Sequence, residues 1–314
     1  MAAHMLFNVI QALTVLLLSP LVKGVLDRWK ERVQSRRGPT IWQPYRDLWK
    51  LFQKDEVVSD QSSWIFRATP YVVFTMPLFV TLLIPALTTY PLFFAFMGDM
   101  LGAGFLLAFG GFFAALAAVD TTNPYGAMGA SRTRMVGFLA EPVFIIVFFT
   151  ISFVAGSTIP YIVQQQWVSP PSNFFEPSHV LIMLAFLMLL LAEAGRIPVD
   201  SPSGHFELAM IDESKNLEYS GRGAALMNWG GAMKFMVLQL VFLNVLVTPW
   251  GLAQTPSLAA VMLAIPLVFS KILVLLAVLT VIESSLAKLR LFRITEFLGA
   301  AFVIATVAMI TRIF

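Results

Sequence analysis

The chain has 314 residues, 58% of them hydrophobic and only 12% charged, with a formal net charge of +3 and no cysteine. Soluble domains carry roughly a quarter charged residues, so the composition excludes an ordinary soluble enzyme and points to a membrane protein. The missing cysteines exclude disulfides, thiolate metal centres and iron–sulfur ligation by this chain, and His4, His179 and His205, its only histidines, lack metal-ligand spacing.

A membrane-spanning helix needs ~20 mostly apolar residues. Eight segments qualify: 5–26, 70–90, 100–119, 135–155, 178–195, 223–248, 257–281 and 294–312. The first has no basic residue before the apolar run and is too long for a signal-peptide core, so it reads as a retained helix. Residues 1–314 thus read as a single all-α polytopic membrane domain with about eight transmembrane helices. There is no internal repeat, low-complexity tract or separate soluble domain.

Basic residues set the orientation. Of the 21 Lys and Arg, 18 fall at the first, third, fifth and seventh connections, and the second, fourth and sixth have none. The first side is the cytoplasm, and both termini are expected on the outer, periplasmic side. The location is a cell inner (cytoplasmic) membrane. A nucleic-acid partner is not expected.

In chain order, the first cytoplasmic loop, 27–67, comes first. Within it Trp42, Tyr45, Trp49 and Phe52 recur at helical spacing, with Arg46, Asp47, Lys50 and Gln53 mostly between them. The pattern predicts an amphipathic surface helix with an aromatic face. Such a helix either anchors in the headgroup layer or docks a cytoplasmic partner and shapes the mouth of a cavity; Arg36 and Arg37 lie just ahead of it.

Ionisable residues inside the apolar spans come next. Each costs roughly 2.5–3.5 kcal/mol on insertion scales, so it is paired or functional. Glu141 lies in the fourth span, Glu193 near the inner end of the fifth, and Lys234 and Lys271 nearer the midplane of the sixth and seventh. Glu283 closes the seventh span and Glu296 opens the eighth, where both could simply snorkel to the interface. Glu193 and Arg196, three apart, are expected to share a helix face and pair. Buried acids and lysines are what a proton relay requires. A structural ion-pair network would use the same residues.

The fifth connection, 195–222, is acidic, with Asp200, Glu207, Asp212, Glu213 and Glu218 beside Arg196, Lys215 and Arg222. Ordered motifs run through the chain. They are RRGP at Arg36–Pro39, DTTNPYGAMGASR at Asp120–Arg132, and Glu141-Pro142. The E-x-x-R-x-P-x-D set of Glu193, Arg196, Pro198 and Asp200 follows, then EYSG at Glu218–Gly221. In these the chain resembles the H-type membrane subunit of respiratory complex I and its relatives in membrane-bound group 4 hydrogenases. The Asp120–Arg132 stretch looks more like the hydrogenase branch, which includes formate hydrogenlyase and hydrogenase-4.

The resemblance implies an eight-helix, non-catalytic membrane subunit of an oxidoreductase complex. It would anchor a cytoplasmic nickel–iron hydrogenase arm and connect it to ion-pumping neighbours, coupling electron transfer to proton or sodium translocation. The implied partners are hydrogenase large and small subunits, an iron–sulfur subunit and antiporter-like membrane subunits, within the lipid bilayer. The nickel–iron centre and iron–sulfur clusters would sit in those partners, with no cofactor in this chain. Glu141, Glu193, Arg196, Asp200, Glu207, Glu218, Lys234, Lys271 and Glu283 would form the relay. Arg36, Arg37, Trp42, Tyr45, Trp49, Asp120, Arg132 and Arg134 would dock the arm or line a quinone-like cavity.

One departure stands out. Where the quinone-reducing branch alternates three acids, this chain has Ser203, His205 and Glu207. A quinone-site subunit of an NADH–quinone oxidoreductase-like complex is therefore the alternative. An independent secondary transporter is disfavoured by the lack of repeats.

Overall fold

A computed structural model describes residues 2–91, 93–95, 98–168, 176–200, 211–247 and 250–313. Ser203, His205 and Glu207 lie outside the described residues. The helices run α1 (Ala2–Val33), α2 (Gln43–Phe52), α3 (Trp64–Leu83), α4 (Met100–Asp120), α5 (Pro124–Ala155), α6 (Pro160–Val168), α7 (Pro177–Glu193), α8 (Gly221–Val241), α9 (Leu258–Ser285) and α10 (Leu291–Ile313). Seven of these segments are long and apolar enough to cross a membrane. The eighth expected span is α7, whose 17 residues rise ~25 Å. The chain is an all-α, multi-pass membrane protein.

Several helices exceed their apolar windows. α1 runs on to Val33, because the charged segment after Val25 is made of good helix formers. α5 starts at Pro124, eleven residues ahead of the expected 135, with the Asn123 side chain accepting the Tyr125 N–H at 2.9 Å. Asn-Pro at this position is a start signal: the cap fills an orphan donor and proline suits the first turn. Arg132 and Arg134 therefore stand on a helix, not in a loop. α3 spans Trp64–Leu83 rather than 70–90, capped by Ser63 and ended before Pro85. The short α6 lies outside the eight expected spans.

α8 is the mast of the bundle: 83% of its apolar window is buried, against 28–44% for the other spans. It packs on α1 and α3, while α10 covers α5 and α7 and α9 lies against α1. Glycines permit the closest approaches. A methyl group at Gly230 would lie 2.6 Å from the Val73 carbonyl oxygen, and one at Gly104 would enter the Phe144 ring. Small residues let membrane helices approach in this way.

α2 lies against α1 and α8, as an amphipathic surface helix should. Its aromatics divide, however. Leu48 is buried, and the Tyr45 hydroxyl donates to the Leu17 carbonyl. Phe52 meets Trp229 edge-on at 6.2 Å. Trp42 and Trp49 are 58% and 68% exposed. At the other end of the bundle α8 continues as a π-helical turn, Phe242–Val247. There the connection after α3 pairs with the one before α9 through Thr89 N–H to Ala253 O (3.0 Å) and Ala253 N–H to Leu87 O (2.9 Å).

Candidate functional site

The charged residues collect at the end of the bundle opposite that pairing, in two adjoining groups. The first lies between α1, α9 and the start of the connection after α7. Lys30 Nζ faces Glu283 Oε2 at 3.0 Å, with the two side chains 7% and 0% exposed. Arg196 reaches Glu283 at 3.8 Å and Asp27 at 3.5 Å, and its guanidinium lies 4.8 Å over the Phe235 ring. Asp200 is buried; it accepts from Lys288 Nζ at 2.7 Å and from the Ile211 and Asp212 N–H groups at 3.0 and 2.9 Å. Asp200 thus pins the far end of the acidic connection. Buried charges persist only with such partners, because the charged form is otherwise desolvated without return.

The second group lies between α5, α7 and α8. Glu193 accepts a hydrogen bond from Lys234 at 2.7 Å. Arg134 stands 3.6 Å from Glu141, and both are a little over one-third exposed. Asp212 pairs with Lys215 in a 3₁₀ turn region at Glu213–Asn216. These residues line one cavity of about 60 Å³ with Thr133 and Asp200. That is space for a few waters. A second, more apolar recess again meets Glu141, Glu193 and Lys234, so these three share a chamber reaching from the connection after α7 into the spans.

The acids of the connection titrate differently. Burial pushes the Asp212 carboxyl up, but Lys215, with Lys234 and Lys23 farther off, outweighs it and holds the group below its ordinary value. Burial pushes Glu213 up, and Lys23 only partly offsets this.

The expected Glu193–Arg196 pair is not formed. α7 ends at Glu193, so the two do not share a helix face, and each finds another partner. Asp120 serves the structure: its Oδ2 accepts from Ser63 N–H at 2.7 Å and Ser63 Oγ at 2.8 Å. Glu218 is exposed and accepts from the Asn123 side chain. Arg36 and Arg37 are exposed, and Arg132 is half-buried. Lys271 lies in neither group. Its ammonium donates to Asn244 Oδ1 at 2.7 Å and the Trp250 carbonyl at 2.9 Å, at the other end of the bundle. Sequence reasoning misses Asp27, Lys30 and Lys288. Asp27 and Lys30 are three apart, and extending α1 by two turns would have placed them on one face. No group of three His, Cys, Asp or Glu among the described residues is placed to hold a metal ion.

A larger cavity of about 320 Å³ opens between α1, α2 and α8, lined by Pro20, Lys23, Asp27, Pro44, Leu48 and Leu51 among others.

Known proteins share this architecture. The chain is 34% identical to hydrogenase-4 component C of Escherichia coli (strain K12), over 97% of this chain and 95% of that one. It is 34% identical to formate hydrogenlyase subunit 4 of the same organism, over 98% of each. The H-type subunit of the NADH-quinone oxidoreductase of Carboxydothermus hydrogenoformans is 27% identical over 81% of this chain and 74% of that one. Among solved structures, an archaeal membrane-bound sulfane sulfur reductase chain superposes with a TM-score of 0.82, covering 98% and 99% of the two chains at 18% identity, which establishes the shared fold. The family model described as NADH dehydrogenase matches residues 6–313. On that match and those full-length relatives, the chain belongs to the NADH dehydrogenase family of membrane subunits.

Proposed function

We propose that this chain is the anchoring and coupling subunit of a group 4 nickel–iron hydrogenase complex related to respiratory complex I, in the inner membrane. It links electron transfer in a cytoplasmic arm to translocation of protons or sodium. The observation that carries the reading is the shared chamber: Asp212 and Lys215 at its inner rim, then Glu193 and Lys234, then Glu141 within α5. Redox centres would reside in partner subunits, with the nickel–iron centre in a hydrogenase large subunit and clusters in a small subunit and an iron–sulfur subunit. Antiporter-like subunits would adjoin the half-exposed face that carries Arg134 and Glu141. The exposed Arg36, Arg37, Trp42 and Trp49 suit a docking surface.

In this reading, a change of charge in the arm shifts the proton affinity of the connection 195–222, including Glu207. Glu193 and Lys234 respond as a pair. Loss of the proton on one side or its gain on the other loosens their bond, and Glu141 passes the change outward to a neighbour. Purification in mild detergent tests the assembly: a nickel–iron large subunit and an iron–sulfur subunit should accompany the chain. Their absence overturns the assignment. The Glu141→Gln variant should assemble normally and lose gradient formation per turnover.

The cavity beneath α2 favours a second reading, a quinone-site subunit, because it is roomy and partly apolar. Ser203 and His205, where the quinone branch carries acids, weigh against it. Bound quinone in the purified complex would decide for this alternative.

A further inference from the structure

Away from the acidic chamber, the other end of the bundle contains a second set of buried polar side chains. On α9, Lys271 stands twelve residues before Glu283, ~18 Å along the axis. Its side chain is buried, yet its ammonium bonds both the buried Asn244 of the π-helical turn and the carbonyl of Trp250, a residue 60% exposed. Lys271 thus spans from the bundle interior to a connection open at the surface.

The neighbouring backbone is held by side-chain amides. Asn244 Nδ2 donates to the Pro85 and Ala86 carbonyls at 3.0 Å each. Gln11 donates to Thr81 and Ile84 carbonyls and accepts from Leu87 N–H. Non-helical backbone at membrane depth is tolerated only where protein buries it or water reaches it. Between this set and the Glu193–Lys234 pair, Gln239 on α8 is fully buried with neither amide atom hydrogen-bonded among the described residues; Asn8, one turn beyond Gln11 on α1 and farther from that pair, is equally unpartnered there at 2% exposure. A primary amide carries two donors and one acceptor oxygen. Left dry, these groups would be orphaned; ordered water is the partner that fits both donors and acceptors.

We propose that the outer half of this chain contains its own hydrated proton path, with Lys271 as the exchanging group and Gln239 holding the water that leads inward. The ammonium of Lys271 gives an N–H proton to water on the Trp250 side. The neutral amine is then reprotonated from water on the Gln239 side, so atoms and charge balance. The path's role in coupling rests on the reading given above; its existence does not.

The cysteine-free sequence makes the test direct. Lys271→Cys, Gln239→Cys and Val274→Cys are each placed in the whole complex in membrane vesicles. The outer face is treated with 2-aminoethyl methanethiosulfonate, and this chain is weighed. The thiolate at 271 breaks the reagent's S–SO2 bond, releases methanesulfinate and forms a mixed disulfide with the aminoethylthio group, restoring an ammonium. We expect modification at 271, slower modification at 239, and none at 274, which is 68% exposed within the apolar stretch of α9 and, in hydrocarbon, stays a thiol. The gradient formed per turnover should fall several-fold in Lys271→Cys and recover after treatment. Lys271→Arg, which keeps the charge but does not release its proton, should assemble and stay low. No modification at 271 and 239, or a full gradient in Lys271→Arg, overturns the proposal. Missing redox partners in the wild-type complex would overturn the hydrogenase assignment instead, and leave the labelling result standing.

Discussion

Glu193 and Lys234 close on each other at 2.7 Å between the last residue of α7 and the middle of α8, each about one-quarter exposed. The pair joins the connection that leaves α7 to the most enclosed helix of the bundle. In the proposed assembly, a charge change passed through that connection would reach this pair before Glu141.

Replacing Glu193 by Gln keeps its volume and removes its charge. Lys234 then loses its counter-ion, and we expect a complex that assembles but turns over several-fold more slowly, with little gradient. The double variant with Lys234→Met should regain stability without regaining coupling. Gradient formation measured against turnover separates the two effects; a fully coupled Glu193→Gln complex would remove the pair from the relay.

Glu283 is the shared carboxylate of Lys30 and Arg196, with no exposed side-chain surface. Its loss strips buried Lys30 of its carboxylate and leaves Arg196 with Asp27, and breaking a buried pair costs about 3–5 kcal/mol. Glu283→Ala should sharply lower the yield of folded chain and its thermal midpoint. Adding Lys30→Met should recover part of the loss, and a double-mutant cycle reads the coupling.

Asp212 and Glu213, in the connection after α7, oppose each other in pH dependence. Asp212 is held below its ordinary 3.8, so its contribution is present above that value and fades as pH falls through the folded one. Glu213 is raised above 4.5, so its protonated form is favoured. Its contribution is present at low pH and is lost as pH rises through the folded value. Glu213→Gln, a permanent mimic of the protonated form, should slow tryptic cleavage after Lys215 at neutral pH and flatten its pH profile above 4.5. Unchanged cleavage would contradict the burial assigned to Glu213.

Gly230 and Gly231 are adjacent but unlike. A methyl at Gly230 meets the Val73 carbonyl at 2.6 Å, backbone that cannot rotate away, whereas one at Gly231 meets nothing within 4 Å. Gly230→Ala should part α3 from α8 and reduce assembly, and Gly231→Ala should be tolerated. Yields compared by gel filtration check this.

Much of this protein follows from its sequence alone. Eight apolar runs, the basic residues gathered at alternate connections, and the aromatic spacing of 42–52 fix a polytopic helical chain with a surface helix, because lipid admits few alternatives to the helix. Depth is legible too: Glu141, Glu193, Lys234 and Lys271 are visible as charges within apolar spans. Partnership is not. Lys30 reads as one more loop charge until α1 runs on to Val33 and brings it to Glu283, 253 residues away. Arg196 reads as the partner of Glu193 until α7 stops between them. Hydropathy is a property of a local window, and it reports where a residue sits along the membrane normal. Which opposite charge it meets depends on how helices distant in sequence turn toward one another, and only tertiary packing decides that.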